Sequence, residues 1–196
     1  MLEQNNHFVQ SIKLLISRGF TMLRLEKIPT WEEVKLFWER ARKLRESGEL
    51  ELSDYLFFGF VFFTGCRISE ILNLKKKDIN LKRLVAIIRQ LKKRKEFKRE
   101  VIIPEFLRED LKVYLEGLEE NKRLFPFARN TAYLKVKALT GFNPHAFRHT
   151  FAIEILKRTN NLEYARRLLG HSNYNTLKHY LDFTVEDIKE KLEGMF

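Results

Sequence analysis

A single cysteine, Cys66, stands among 196 residues, which excludes an internal disulfide and fits a reducing intracellular compartment. Long apolar runs are also missing. The longest, Tyr55 to Phe63, is less than half of the roughly 20 residues a helix needs to cross a bilayer. No signal peptide is recognised ahead of the body, so the cytoplasm is the expected location. No carboxylates, cysteines or histidines cluster at metal-ligand spacing, and there are no internal repeats or low-complexity linkers. Glutamine is scarce while lysine and glutamate are abundant, a bias met in thermophiles.

What is present is positive charge. Thirty-seven lysines and arginines against 26 acidic residues give a net +11 and a pI near 9.7, which favours a polyanionic partner. Nucleic acid is the first candidate and an anionic membrane surface the second. No stretch is both basic and apolar enough to favour the membrane. The length suits one domain, and 44% hydrophobic residues are ample for its core.

Along the chain, residues 1–26 carry too little apolar material for a domain and are expected to be an arm or the remnant of a preceding helical domain. Thr30-Trp31-Glu32-Glu33 is a capping box, and Val34, Phe37, Trp38, Ala41 and Leu44 continue it at helical spacing. Ser53-Asp54 is placed to cap a second helix, apolar nearly all round through Phe63 and therefore central. Thr64-Gly65-Cys66-Arg67 breaks it, and Ile68 to Leu74 starts another. Short branched runs at Leu84–Ile88 and Val101–Ile103 predict a β-hairpin. Between them Arg89–Arg99 holds seven lysines and arginines in eleven residues, either a solvated turn or a tip that meets a DNA backbone. Helices are expected at Glu105–Leu118, Thr131–Leu139, Ala146–Arg158, Leu162–Leu169 and Asn175–Leu181, with a polar one at Val185–Leu192.

Four segments could carry chemistry. Arg67 opens a helix after a glycine turn, beside backbone N–H groups and a positive dipole end, as a phosphate site requires; alone it could equally be a surface arginine. Glu70, three residues later, could hold that arginine or help cap the helix. His145 and Arg148 lie one turn apart, although a lone histidine there could be a cap or core residue. His171 follows Leu168-Leu169-Gly170 and could be only a helix-start residue, and Tyr180 by itself could be core or surface.

Taken together, the order and gaps are specific. Thr64-Gly65-Cys66-Arg67-Ile68-Ser69-Glu70, a basic hairpin, His145-Ala146-Phe147-Arg148-His149-Thr150-Phe151-Ala152, Leu169-Gly170-His171-Ser172, and Tyr180 nine residues after His171 resemble the tyrosine recombinase family of phage-type integrases and Xer-like recombinases. The resemblance covers about residues 27–185, the family's catalytic domain. It implies an α+β, mainly helical fold with a small antiparallel sheet, a catalytic domain at 27–184, and a tail at 185–196 that relatives pack on a neighbouring subunit.

It also implies a site of Arg67, a hairpin lysine, His145, Arg148, His171 and Tyr180, with Glu70 supporting it. Counting forward from Asp78 makes the lysine Lys92; counting back from Pro104 makes it Lys95. Lys93, Arg94, Lys98 and Arg99 are expected on DNA. By this resemblance Tyr180 attacks phosphorus, His145 takes its proton, the two arginines and His171 hold the phosphate, and the lysine protonates the leaving 5′ oxygen. No cofactor or metal is implied. The partners are double-stranded DNA at specific sites and a homotetramer on that DNA, monomeric when free, in the nucleoid or on viral or plasmid DNA. A type IB topoisomerase-like nicking enzyme and a non-catalytic DNA-binding module are the rival readings.

Overall fold

A computed structural model describes residues 28–92, 95–159 and 161–170, with the backbone alone at 90–97. The expected arm at 1–26, the tail at 185–196 and the helices at Asn175–Leu181 and Val185–Leu192 lie outside the described residues. Within them the architecture is mainly helical with one small antiparallel sheet, as expected. None of the helices there is long and apolar enough to cross a membrane.

Helix α1 (Trp31–Glu46) begins at the expected capping box: the Thr30 hydroxyl accepts from the Glu33 amide at 3.1 Å, and the Glu33 carboxylate accepts from the Thr30 amide at 2.8 Å. Helix α2 (Leu52–Phe63) is the central rod, with every residue from Asp54 to Phe62 buried. Its apolar surface is spent all round. Trp38 of α1 stacks on Tyr55 at 4.4 Å, Phe57 meets Phe125 edge-on at 5.6 Å, and Phe62 stacks on Phe147 at 4.5 Å. Such aromatic pairs add to area burial and fix how neighbouring elements lie against the rod.

Ser53-Asp54 does not cap α2. The N-cap is Glu51, without a side-chain bond, and Asp54 turns inward to Lys135 at 2.7 Å. Desolvation pushes the Asp54 carboxyl up, and Lys135 opposes that shift. A buried carboxylate needs a cation more than the helix end needs a cap.

After α3 (Ile68–Asn73) come a 3-10 turn at Lys76–Asp78 and strands β1 (Ile79–Asn80), β2 (Val85–Lys92) and β3 (Lys95–Ile102), ordered β1-β2-β3 and antiparallel throughout. The hairpin differs from expectation. Its strands continue through the charged run to Lys92 and Lys95, which pair with each other, so residues 93–94 alone separate them. Strand parity explains how a charged run can be a strand: Ala86, Ile88, Arg99 and Val101 share one face and are largely covered, while Arg83 and Glu100 pair at 2.7 Å on the exposed side.

The chain then forms a 3-10 turn at Glu105–Leu107, α4 (Arg108–Glu116), α5 (Arg129–Thr140), α6 (Pro144–Thr159) and α7 (Leu162–Leu169). The expected single helix at Glu105–Leu118 is thus a 3-10 turn followed by a shorter α-helix. Helix α6 starts on an Asn143 side chain that accepts from the His145 and Ala146 amides at 2.9 and 3.2 Å, with Pro144 in the first position. A small apolar cluster of Ala152, Leu156, Ala165 and Leu169 holds α7 against α6.

The Asp54–Lys135 pair gives a stability prediction. Lys135→Ala leaves an unpaired buried carboxylate and is expected to cost about 3–5 kcal/mol in urea denaturation, whereas Asp54→Leu with Lys135→Met is expected to recover most of that loss. Equal loss in the double variant would contradict this account.

Candidate active site

The site is assembled at the break between α2 and α3. Gly65 turns there with φ +64, and a Cβ on it would lie 2.4 Å from the Phe151 ring, so this turn accepts glycine alone. Cys66, next in line, is buried, and its thiol is pushed up to about 11 by that burial and by the Glu70 carboxylate. It is held as a thiol, not a nucleophile.

Arg67 is the N-cap of α3, and Glu70 fills both roles open to it. Its carboxylate accepts from the Arg67 amide at 2.8 Å and from Arg67 Nη1 at 3.1 Å. Arg99 adds a two-toothed fork from β3, Nη1 at 3.1 Å and Nη2 at 2.9 Å, and Arg148 Nη1 lies 4.0 Å away. Burial alone pushes a carboxyl up. Here the Arg99 fork, the Arg67 amide and the Arg148 charge outweigh it and hold Glu70 at about 2.

The two arginines expected to grip phosphate are differently placed. Arg67 is 40% exposed, and among the described residues its Nη2 and Nε meet no protein acceptor. Arg148 is 1% exposed; its Nη1 donates to the Gly65 carbonyl at 2.5 Å and its Nη2 to the Leu169 carbonyl at 2.7 Å. His145 sits on the first turn of α6 with an exposed edge, 4.6 Å edge-on to His149. Partial desolvation, then the charges of Arg148 and Arg67, lower its pKa below 6.5. Arg67, Glu70, His145 and Arg148, which come from two segments some eighty residues apart, therefore share one electrostatic neighbourhood.

Arg99 requires a correction. Expected among the DNA-binding residues of the tip, it faces inward with its side chain 13% exposed, and its Nε donates to the Leu168 carbonyl at 3.0 Å. Alternation from Ile103 and Val101 back to Arg99 was the available signal, because those positions share the covered face. Lys98, one residue away, is exposed. Lys92 and Lys95 are fixed as a cross-strand backbone pair. Lys93, Arg94, His171 and Tyr180 lie outside the described residues.

Helix α7 ends at Gly170 with φ +65 and ψ +37. The carbonyls of Leu168 and Leu169, at the negative end of the helix, are met by Arg99 and Arg148. His171 is the next residue in the chain.

Glu70 makes the site's contribution to stability depend on pH. Its folded pKa, about 2, lies below the ordinary 4.5, so the unfolded chain binds the proton first and stability falls as pH drops from about 4.5 to 2. Urea midpoints measured across that range are expected to show this loss in the parent and not in Glu70→Gln. At neutral pH that variant is expected to be less stable by about 3–5 kcal/mol, having lost a buried ion-pair partner. Identical pH profiles would contradict this reading.

Residues 30–186 match the phage integrase family. Tyrosine recombinase XerA of Thermococcus onnurineus strain NA1 is 32% identical over 187 residues, covering 87% of this chain and 66% of that protein. A crystal structure of XerA recombinase superposes with a TM-score of 0.69 at 22% identity, over 88% of this chain and 65% of that one. A crystal structure of XerH site-specific recombinase bound to palindromic difH substrate gives 0.68 at 24% identity, over 85% of this chain and 53% of that one. The chain thus spans from about half to just under two thirds of the length of these proteins. With a family match across most of its residues and the fold shared with recombinase structures, the chain belongs to the phage integrase family and carries the fold of a tyrosine recombinase catalytic domain.

Proposed function

We propose that this chain breaks and rejoins DNA strands at specific sites through a 3′-phosphotyrosyl intermediate. The supporting observation is the convergence of Arg67, Arg99 and Arg148 on one buried carboxylate, with His145 beside two of them, in a phage integrase fold. Double-stranded DNA is the proposed partner, in keeping with a XerH neighbour solved on its difH substrate. A homotetramer holding two sites is the proposed assembly.

In this scheme the Tyr180 oxygen forms a bond to phosphorus as the bond to the DNA 5′ oxygen breaks. At neutral pH a free phenol is ionised to only about one part in a thousand, so a base must take the proton. His145 suits that task because its lowered pKa leaves a neutral imidazole at pH 7. Negative charge grows on the nonbridging oxygens, which planar guanidinium groups match in geometry. Arg67 supplies the available donors; Arg148 joins by exchanging its carbonyl partners for phosphate oxygens, and His171 adds a hydrogen bond. The leaving 5′ oxygen takes its proton from Lys92, with Lys95 as the alternative donor. A 5′ hydroxyl from another strand then attacks the phosphotyrosyl bond, returning the proton and freeing the tyrosine.

A nicked suicide duplex tests the scheme. Tyr180→Phe is expected to abolish the covalent protein–DNA adduct formed by the parent, and equal adduct in the two would sink the nucleophile assignment. Replacing the donor lysine by alanine is expected to lower the cleavage rate about 10²–10⁴-fold on ordinary DNA and far less on a substrate with a 5′-thiol leaving group; this comparison separates Lys92 from Lys95. Joining ends from two different sites is the outcome expected of a recombinase and not of a topoisomerase.

A further inference from the structure

Arg99 engages all three of its guanidinium nitrogens, and the partners belong to two elements distant in sequence. Nη1 and Nη2 hold Glu70 on α3, and Nε holds the Leu168 carbonyl at the end of α7. The stem belongs to β3, four residues from Lys95 at the start of that strand. Gly170 packs directly on it: a Cβ there would lie 3.0 Å from Cδ, 3.0 Å from Nε and 3.1 Å from Cζ of Arg99. One planar group is therefore clamped between a carboxylate and a helix end, with backbone pressed against its stem.

Each partner leads to a residue of the proposed chemistry. Glu70 Oε1 is shared between Arg99 and Arg67, so the Arg99 fork fixes the carboxylate that orients Arg67. The Leu168 carbonyl and Gly170 end the helix from which His171 follows. The strand itself begins at Lys95, one of the two candidate acids, and pairs there with Lys92 of β2, the other. A lysine at position 99 would be a single point charge that cannot satisfy three acceptor directions in one plane.

We propose that Arg99 is a positioning residue for the strand-transfer reaction, setting the hairpin, the Glu70–Arg67 cap and the Gly170 turn in one mutual register without contacting DNA. This rests on the function proposed above. Small displacements are enough to matter, since about 1 Å of misplacement can cost roughly 10²-fold in rate.

The test uses the full chain and a nicked suicide duplex selected from a randomised library by covalent capture on the parent protein. For Arg99→Lys the expected result is a 10- to 100-fold slower adduct formation at saturating DNA, with duplex affinity changed by less than about threefold. For Arg99→Ala the salt slope of DNA binding is expected to equal the parent's, whereas a lost phosphate contact lowers that slope by about one. Gly170→Ala, which intrudes on the Arg99 stem, is expected to slow adduct formation alone and to add much less in an Arg99→Ala background. Three results overturn the proposal: a parent-like rate in Arg99→Lys, a reduced salt slope in Arg99→Ala, or full additivity with Gly170→Ala. A parent that captures no duplex refutes the strand-transfer function itself and this role with it; a parent that does so while Arg99→Lys matches it refutes this role alone.

Discussion

One buried carboxylate organises this site. Glu70 lies where water cannot solvate it, and burial by itself would drive it to take up a proton. It stays ionised because guanidinium groups reach it from β3, from α6 and from its own helix cap. The dependence is mutual. Arginines cannot discharge by losing a proton as a lysine can, so three of them at one place are tolerable only around an anion. Removing the anion would leave them repelling each other in a partly dry pocket, and removing Arg99 would leave the anion held mainly by charges it does not grip in two places.

A second constraint acts at the end of α7. Its last carbonyls point at the negative pole of the helix and have no partner within it. Arg99 and Arg148 take one each, so the arginines that neutralise Glu70 also fix the helix end that precedes His171. Arg148 is thereby almost sealed from solvent, while Arg67 at 40% exposure has, among the described residues, no acceptor for Nη2 and Nε. The asymmetry is one of setting: a cation buried at 1% exposure acts on its neighbours with little screening by water, and one at 40% exposure is reached by solvent. His145 registers both, since each charge lowers its pKa.

These relations differ in how far the amino-acid order reveals them. The Thr30–Glu33 box and the apolar Tyr55–Phe63 run are legible because helix capping and helix burial are local rules, whereas the motifs at Arg67, His145 and Arg148 stand out only through their combined resemblance to those of a known family. The partners of Arg148 are not legible. They are the Gly65 and Leu169 backbone carbonyls, which every residue possesses and no composition signals. The length of the hairpin is hidden for a related reason: charge density suggests a loop, whereas alternation permits charged residues within a strand if each alternate one finds a partner. Asp54 suggests a cap by its short side chain and its place in a first turn, while its partner, Lys135, lies 81 positions away.

Alternation also changes the meaning of the basic run itself. Of the seven cations between residues 89 and 99, the two at its ends are held by buried carboxylates, Arg89 by Asp78 at 2.9 Å and Arg99 by Glu70. Those two have their charge offset by an adjacent carboxylate, and the other five lie between them in the sequence. The hairpin is thus anchored at its base by ion pairs that cost desolvation and charged along its outer length. An anchor of that kind sets where the strand pair leaves the body. Had the basic residues been distributed at random along the run, a buried carboxylate would have met a lysine as readily as an arginine. At both ends the cation is an arginine that uses two nitrogens at once: Arg99 on the two oxygens of Glu70, and Arg89 with Nε and Nη2 on one oxygen of Asp78, contacts for which a planar fork is suited.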